Sequence, residues 1–436
     1  MDQEKTSPRR RTEDKRWSPD IGAKCRQKLY TEQTKGHRRS HELGLCGHYE
    51  NTVRALKKSW FRSIQDEIIN IYYKQSVATP GGSMQITVNK AESLKEKPDE
   101  NNLGFGTIFT DHMFNMDYNP EDGWHNPRIE PYQPIVMEPS TMVLHYGQGV
   151  FEGLKGYRNP SGGIQLFRPM ENVRRLNRSS KRLCIPEIDE AGVLDAIKQL
   201  VDVEKDWVPG VEGTSLYIRP TVIATDPFLG VRASFTYRFF IILSPVGAYY
   251  PEGFNPVKIF VTRDFVRAVR GGVGEAKTLG NYAASLLAGD KAHEEGYTQV
   301  LWLDGVEQKY IEEVGAMNIF FVIGDEIVTP ELSGSILPGI TRKSVVELGR
   351  SWGLTVSERK ISIDEVLQAQ EDGSLKEVFG SGTAAVISPV GEIRYGDTLI
   401  TIGDGSVGPL SRRLYDSLTD IQYGKADDPF GWVVPV

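Results

Sequence analysis

Cysteine is nearly absent from this chain: three in 436 residues, at positions 25, 46 and 184. They are too few and too scattered to form a disulfide framework or a zinc site. Nowhere does an apolar run approach the roughly 20 residues that a membrane helix needs. Positive charge is in deficit as well, with a net charge of -7, which argues against a general nucleic-acid surface. A reducing, cytoplasmic setting fits these absences best. What remains is ordinary, 39% hydrophobic and 25% charged, as in a soluble globular protein long enough for two domains with sizeable cores.

The charge is uneven. Residues 1–83 hold 17 Lys and Arg against 10 Asp and Glu, so this segment carries +7 and the remainder -14. It includes basic stretches such as Ser7-Pro8-Arg9-Arg10-Arg11 but no sustained apolar periodicity. Ten acids make it a poor organellar presequence, and it has no secretory apolar core. We read residues 1–83 as a poorly ordered extension or an over-extended gene model, with Met84 as the start. A mass measurement on natively expressed protein showing residues before Met84 would sink the second reading.

From about residue 103 strand and helix patterns alternate. Val150 to Arg158 and Ile164 to Phe167 read as strands, and Ser215 to Ala224 and Tyr237 to Val246 as two strong ones. Asn172 to Leu183 and Ala191 to Val203 have helical spacing. The glycine- and proline-rich stretch 247–256 has few N–H groups to give to a ladder, and places an interdomain linker at 251–256. Val257 to Thr262 restarts as a strand, Asn281 to Glu295 as one helix ending at Gly296, and Gln299 to Leu303 as a strand. Asn318 to Ile323 and Glu326 to Thr329 form a hairpin about Gly324-Asp325. Thr341 to Arg350 is helical, and Ser362-Ile363-Asp364-Glu365 is a capping box.

One word stands out: Gly271-Gly272-Val273-Gly274-Glu275-Ala276-Lys277-Thr278-Leu279-Gly280-Asn281-Tyr282, with Ile311-Glu312-Glu313-Val314-Gly315-Ala316-Met317-Asn318 after it. It offers a lysine on a glycine-rich turn, a tyrosine at the start of the next helix, and two candidate carboxylates. Taken singly, Lys277 is by default a surface group and Glu313 a strand-edge acid. Taken together they are what pyridoxal 5'-phosphate needs: an amine for a Schiff base, a phenol near the ring hydroxyl, and an acid at the pyridine nitrogen. Phosphate binding needs helix N-termini and hydroxyls. Leu337-Pro338-Gly339-Ile340-Thr341 and the small-residue turn Gly380-Ser381-Gly382-Thr383-Ala384 both supply them.

In these words residues 84–436 closely resemble the fold-type-IV aminotransferases, specifically the branched-chain amino acid aminotransferases, and the ending Asp428-Pro429-Phe430-Gly431-Trp432 is close to bacterial members. The resemblance implies an α/β protein like the D-amino acid aminotransferases in fold, with a smaller N-terminal domain (84–250) and a larger C-terminal one (257–436). It implies a homodimer that shares its active sites, with Lys277 as the catalytic residue. Arg175, Tyr282, Glu313, Gly339, Ile340, Thr341 and Thr383 would hold the cofactor; Glu312 and Arg174 are the neighbours to be told apart. Phe151, Tyr217, Thr383 and Ala384 would contact substrate, with Arg219 on the second carboxylate of glutamate. Tyr146 and Leu229-Gly230-Val231 would reach in from the neighbouring subunit, and Arg267 would lie near the cofactor. The expected reaction moves an amino group between leucine, isoleucine or valine and 2-oxoglutarate, with no metal, nucleic acid or membrane involved. The Cys-x-x-Cys pair of some members is replaced by Ala385 and Ser388, so no thiol switch is expected there.

Rival readings are weaker. Ala276 breaks the nucleotide-binding P-loop pattern that ends in Lys277-Thr278, because its Cβ would crowd the phosphate turn. A D-amino acid aminotransferase or an aminodeoxychorismate lyase would keep the Lys277 and Glu313 words. Tyr217-Ile218-Arg219-Pro220 and Phe151-Glu152-Gly153-Leu154-Lys155 favour the branched-chain type. A non-catalytic cofactor-binding protein fits an intact Lys277 and Glu313 less well.

Overall fold

The computed structural model describes residues 84–247 and 254–436. The readings made for residues 1–83, and the linker at 251–253, lie outside the described residues. The first-half strands are β1 (Thr87–Val88), β2 (His112–Asn119), β3 (Gly123–Pro131), β4 (Gly149–Phe151), β5 (Leu154–Arg158), β6 (Ile164–Phe167), β7 (Ser215–Ala224) and β8 (Tyr237–Val246). The second half contributes β9 (Val257–Val261), β10 (Gln299–Leu303), β11 (Ile311–Val314), β12 (Met317–Ile323), β13 (Glu326–Thr329), β14 (Thr355–Glu358), β15 (Leu375–Gly382), β16 (Val386–Tyr395) and β17 (Thr398–Thr401). The last strand is β18 (Val433–Pro435). The helices used below are α1 (Met142–Tyr146), α2 (Pro169–Arg182), α3 (Glu190–Val203), α4 (Leu279–Ala283), α5 (Leu286–Glu294), α6 (Ile340–Ser351), α7 (Ile363–Glu371) and α8 (Pro409–Gln422).

Among the described residues the strands form two sheets. One runs β1-β3-β2-β8-β7-β5-β6-β18 with β4 beside β7; the other runs β11-β10-β9-β16-β15-β12-β13-β14 with β17 beside β16. Each has its own core. Leu216, Ile218 and Val222 of β7 pack with Val193, Ile197 and Leu200 of α3 in the first. Ile319 and Phe321 of β12 pack with Ile363 and Val366 of α7 in the second. A further core joins the halves, holding Tyr157 and Phe167 from the first sheet with Val345 of α6 and Leu414 of α8. The chain returns to the first sheet at its end, where β18 pairs with β6. There Arg168 sits under the Trp432 ring and pairs with Glu347 of α6 at 2.8 Å.

β7 positions the site by simple alternation. Successive side chains of a strand point to opposite faces, so Leu216, Ile218 and Val222 enter the core while Tyr217, Arg219 and Thr221 face the other way. The expected strand from Val150 to Arg158 is interrupted at Glu152-Gly153. A Cβ at Gly153 would collide with the Tyr217 hydroxyl, so the break makes room for that ring. The expected helix from Asn281 to Glu295 is likewise two helices, α4 and α5. Ser285 breaks it by donating both its N–H and its hydroxyl to the carbonyl of Tyr282.

Candidate active site

The second faces of β4 and β7 look into a cavity of about 520 Å³. Phe151, Tyr217, Arg219, Lys277, Tyr282, Thr383 and Ala384 all line it, so seven residues named from the sequence converge on one space. Lys277 follows the glycine-rich turn. Its carbonyl accepts from the Phe151 N–H at 3.0 Å, and its own N–H donates to the Ser179 hydroxyl of α2 at 2.9 Å. The backbone is thereby pinned on both sides. The Lys277 ammonium donates to the Tyr282 hydroxyl at 2.7 Å and lies 4.8 Å from the centre of the Phe151 ring.

Behind this cavity lies Glu313, buried on β11 rather than at a solvated strand edge. It pairs with Arg267, accepts from the Asn318 side chain at 3.3 Å, and accepts from the Leu337 N–H at 3.4 Å. Burial nevertheless pushes its carboxyl up to about 7, against the opposing pull of Arg267. A carboxylate costs several kcal/mol to desolvate, and Arg267 returns only part of that. Glu312 faces elsewhere and accepts from the Ser335 hydroxyl. The backbone around Arg267 is equally close-packed: the guanidinium donates to the carbonyls of Gly274 and Ser335.

Arg175 is buried on α2. Its Nε and Nη2 donate to the two oxygens of Glu152 at 2.7 and 2.9 Å, and its Nη1 donates to the Pro338 carbonyl at 3.0 Å. Asn172 donates to the same carboxylate at 2.8 Å. Pro338 leads into α6, whose first residues are Ile340 and Thr341 with Gly339 as the cap. A Cβ on Gly339 would strike the Asn318 side chain, which also holds the Leu337 carbonyl at 2.9 Å. Arg174 by contrast is half-exposed and pairs with Glu190 at 3.4 Å.

Some expected residues stand apart. Gly339 and Ile340 line a second, smaller hollow between α2 and α6 instead of the main cavity. Thr341 is buried at the start of α6. Tyr146 and Val231 are exposed, 41% and 86%, and do not line the cavity of their own chain. They are nevertheless on one surface, since the Tyr146 hydroxyl donates to the Leu229 carbonyl. The small-residue turn is shorter than read, because Gly380 to Gly382 belong to β15 and only Thr383 to Ala385 turn.

Residues that the sequence reading missed complete the walls. Phe105, Leu279, Gln299 and Met317 line the cavity, and Ser179, Glu152 and Lys155 support it from behind. A charge inside an apolar stretch is the signal that could have found Glu152 and Lys155, because buried charges need a partner or a task.

The group that would fill this cavity can be tested by its needs. A free amine, a buried acid, a helix start with an arginine behind it, and apolar walls are what a phosphorylated pyridine aldehyde requires, and the residues present fit. The amino-transferase class IV family model matches residues 149–393. The chain is 61% identical over 351 residues to branched-chain-amino-acid aminotransferase 2 of Bacillus subtilis, covering 80% of this chain and 97% of that protein. Among solved structures it resembles the Escherichia coli branched-chain amino acid aminotransferase with TM-score 0.62 at 28% identity, over 74% of this chain and 98% of that one. The T.th. branched-chain amino acid aminotransferase with pyridoxamine 5'-phosphate gives 0.61 at 27%, over 76% and 98%.

Proposed function

This chain belongs to the class IV aminotransferases and is a pyridoxal-phosphate-dependent branched-chain aminotransferase, and we propose that Lys277 carries its amino transfer, with 2-oxoglutarate as the acceptor. Bound pyridoxal phosphate supplies the electron sink that makes the amino acid's Cα–H acidic. With the cofactor bound, Lys277 would take the substrate's Cα proton and return it, the task of a general base that becomes a general acid. Tyr282, 2.7 Å from its amine, holds that nitrogen in place. Glu313 is the acid for the pyridine nitrogen, and Arg267 keeps it oriented.

Arg175, Gly339, Ile340, Thr341 and Thr383 are our assignments for the phosphate. A guanidinium has five N–H donors. Arg175 spends three on Glu152 and Pro338, which leaves two for an anion. The first N–H groups of α6 have no partner within the helix. Phe151 and Tyr217 form apolar walls for the branched side chain. Thr383 and Ala384 take the substrate's α-carboxylate. Arg219 stacks 4.7 Å from Phe151 and donates to the Tyr217 hydroxyl at 3.0 Å, while its Nε is buried without a partner. That orphan donor suits the second carboxylate of glutamate.

The same reading makes the enzyme a cytoplasmic homodimer, with residues 84–250 and 257–436 as its two domains and the cofactor between them. Tyr146 and Val231 would serve the neighbour's cavity, which accounts for apolar groups so exposed in one chain. Among the described residues no helix is long and apolar enough to cross a membrane.

The observation that carries the reading is the Lys277–Tyr282 pair inside an apolar cavity backed by buried Glu313. An absorbance spectrum of the purified protein tests it. The visible cofactor band should shift on adding L-leucine and return on adding 2-oxoglutarate. A band that responds to D-amino acids and ignores L-leucine would overturn the substrate class.

A further inference from the structure

Lys155 has no part in the assignments above, yet it is only 7% exposed and is bonded to Ala384, which lines the cavity. It is paired across the sheet with Tyr217, so strand alternation puts it on the face that carries Tyr217, Arg219 and Phe151. Among the described residues no carboxylate lies within ion-pair distance of it. Its ammonium donates to one protein group, the Ala384 carbonyl at 2.7 Å, in the turn between β15 and β16 on the other sheet. Burial lowers its pKa to about 8, which still leaves most of it charged at neutral pH. A buried cation with no anion is costly unless an anion arrives with the ligand.

The turn it holds supplies the second observation. The backbone N–H groups of Thr383, Ala384 and Ala385 donate to no group among the described residues, and all three residues line the cavity. Three successive amides without a partner among the described residues are donors available to an anion. Val386, next in the chain, has φ +62°, a left-handed conformation that a β-branched residue adopts only under constraint. The Ala384 carbonyl is engaged by Lys155, and in a trans peptide the N–H of Ala385 points opposite to that carbonyl. Attraction by a full charge also polarises the peptide that joins Ala384 to Ala385, strengthening its N–H as a donor.

We propose that Lys155 is the positioning residue of the carboxylate subsite: from the opposite sheet it holds the Thr383–Ala385 turn in its anion-accepting orientation and supplies the positive charge beneath it. The proposal rests on the reading that this turn receives the substrate's α-carboxylate. Leucine and 2-oxoglutarate both bring that carboxylate, so Lys155 serves both half-reactions, whereas Arg219 serves one.

The test uses the cofactor-loaded enzyme and 4-methylpentanoate, which is leucine without its amine, as a competitive inhibitor. Lys155→Gln keeps a donor for the Ala384 carbonyl and drops the charge. It should raise the inhibition constant and both KM values about tenfold, the worth of a charge-assisted contact, with kcat and the cofactor spectrum little changed. Lys155→Arg should restore binding to within about threefold of wild type, because it keeps the charge. An unchanged inhibition constant in Lys155→Gln overturns the proposal, as does a loss in Lys155→Arg equal to that in Lys155→Gln. Ala384→Pro, which removes one turn amide, separates the two readings. If it weakens 4-methylpentanoate while Lys155→Gln does not, only the role of Lys155 falls. If neither variant weakens it, the turn itself is not the carboxylate subsite.

Discussion

The two sides of the proposed site use buried cations in opposite ways. On one side Arg175 is locked to Glu152 through two hydrogen bonds and to the Pro338 carbonyl through a third. On the other, Lys155 has a single carbonyl, and Arg219 has a buried Nε with no partner. On the assignments proposed above, the cation that holds the cofactor is fixed in advance, its own carboxylate offsetting the cost of desolvation, while the cations that receive substrates are left short of partners. The incoming carboxylate then makes the contacts that the protein withholds.

Lys277 stands between the two, and its replacement has the largest expected effect. Lys277→Ala should leave both sides folded and some cofactor bound noncovalently, while turnover falls by orders of magnitude. Transamination near the wild-type rate would remove Lys277 from the chemistry.

Glu152→Gln attacks the pre-paired side. It strands a buried guanidinium, so we expect the cofactor-free protein to lose about 3–5 kcal/mol of unfolding free energy. The loss should shrink with cofactor bound, because the phosphate would replace the missing charge. Denaturant melts with and without pyridoxal phosphate measure this, and equal losses in both would contradict the phosphate role of Arg175.

Glu313 gives a pH signature. Its carboxyl is raised from 4.5 to about 7 by burial, so between those values the folded apoprotein holds a proton that the unfolded chain has released. Its contribution is complete below the unfolded pKa and is lost as pH rises through about 7. Apoprotein stability should therefore fall across pH 4.5–7, by up to roughly 3 kcal/mol from this group. Glu313→Gln should flatten that slope, and an unaltered slope would assign it elsewhere.

The smallest effect is expected on the open side. Arg219→Gln should slow the glutamate half-reaction about tenfold more than the leucine one, about 1.4 kcal/mol, since only glutamate brings a second carboxylate. Single-turnover rates for both substrates decide it, and equal losses would refute the assignment.

Much of this architecture was legible from local pattern. Strands 215–224 and 237–246 appear at the bounds read from their apolar content, as does the turn at Gly324-Asp325. The Ser362 side chain accepts from the Glu365 N–H, as the capping box requires. Other features resisted. β2 mixes buried apolar Met113, Phe114 and Met116 with buried polar His112 and Asn115, which breaks the apolar pattern of a buried strand. His112 pairs with Glu204, far along the chain, and the Asn115 amide donates to Glu130 on the next strand. The long helix from Asn281 was broken by a serine whose bond to Tyr282 no periodicity reveals.

The site divides along the same line. The words around Lys277 and Glu313, and the alternation in Tyr217-Ile218-Arg219, were in the sequence, because strand period and turn chemistry act over a few residues. Sequence alone therefore determined the family resemblance, the lysine proposed for the chemistry and most of the strand pattern. Only the tertiary structure decided that Glu152 neutralises Arg175, that Arg267 restrains Glu313, and that Lys155 crosses to a turn 229 residues away. The reason is physical: whether a charge is buried, and what answers it, depends on groups that the fold brings together from distant parts of the chain.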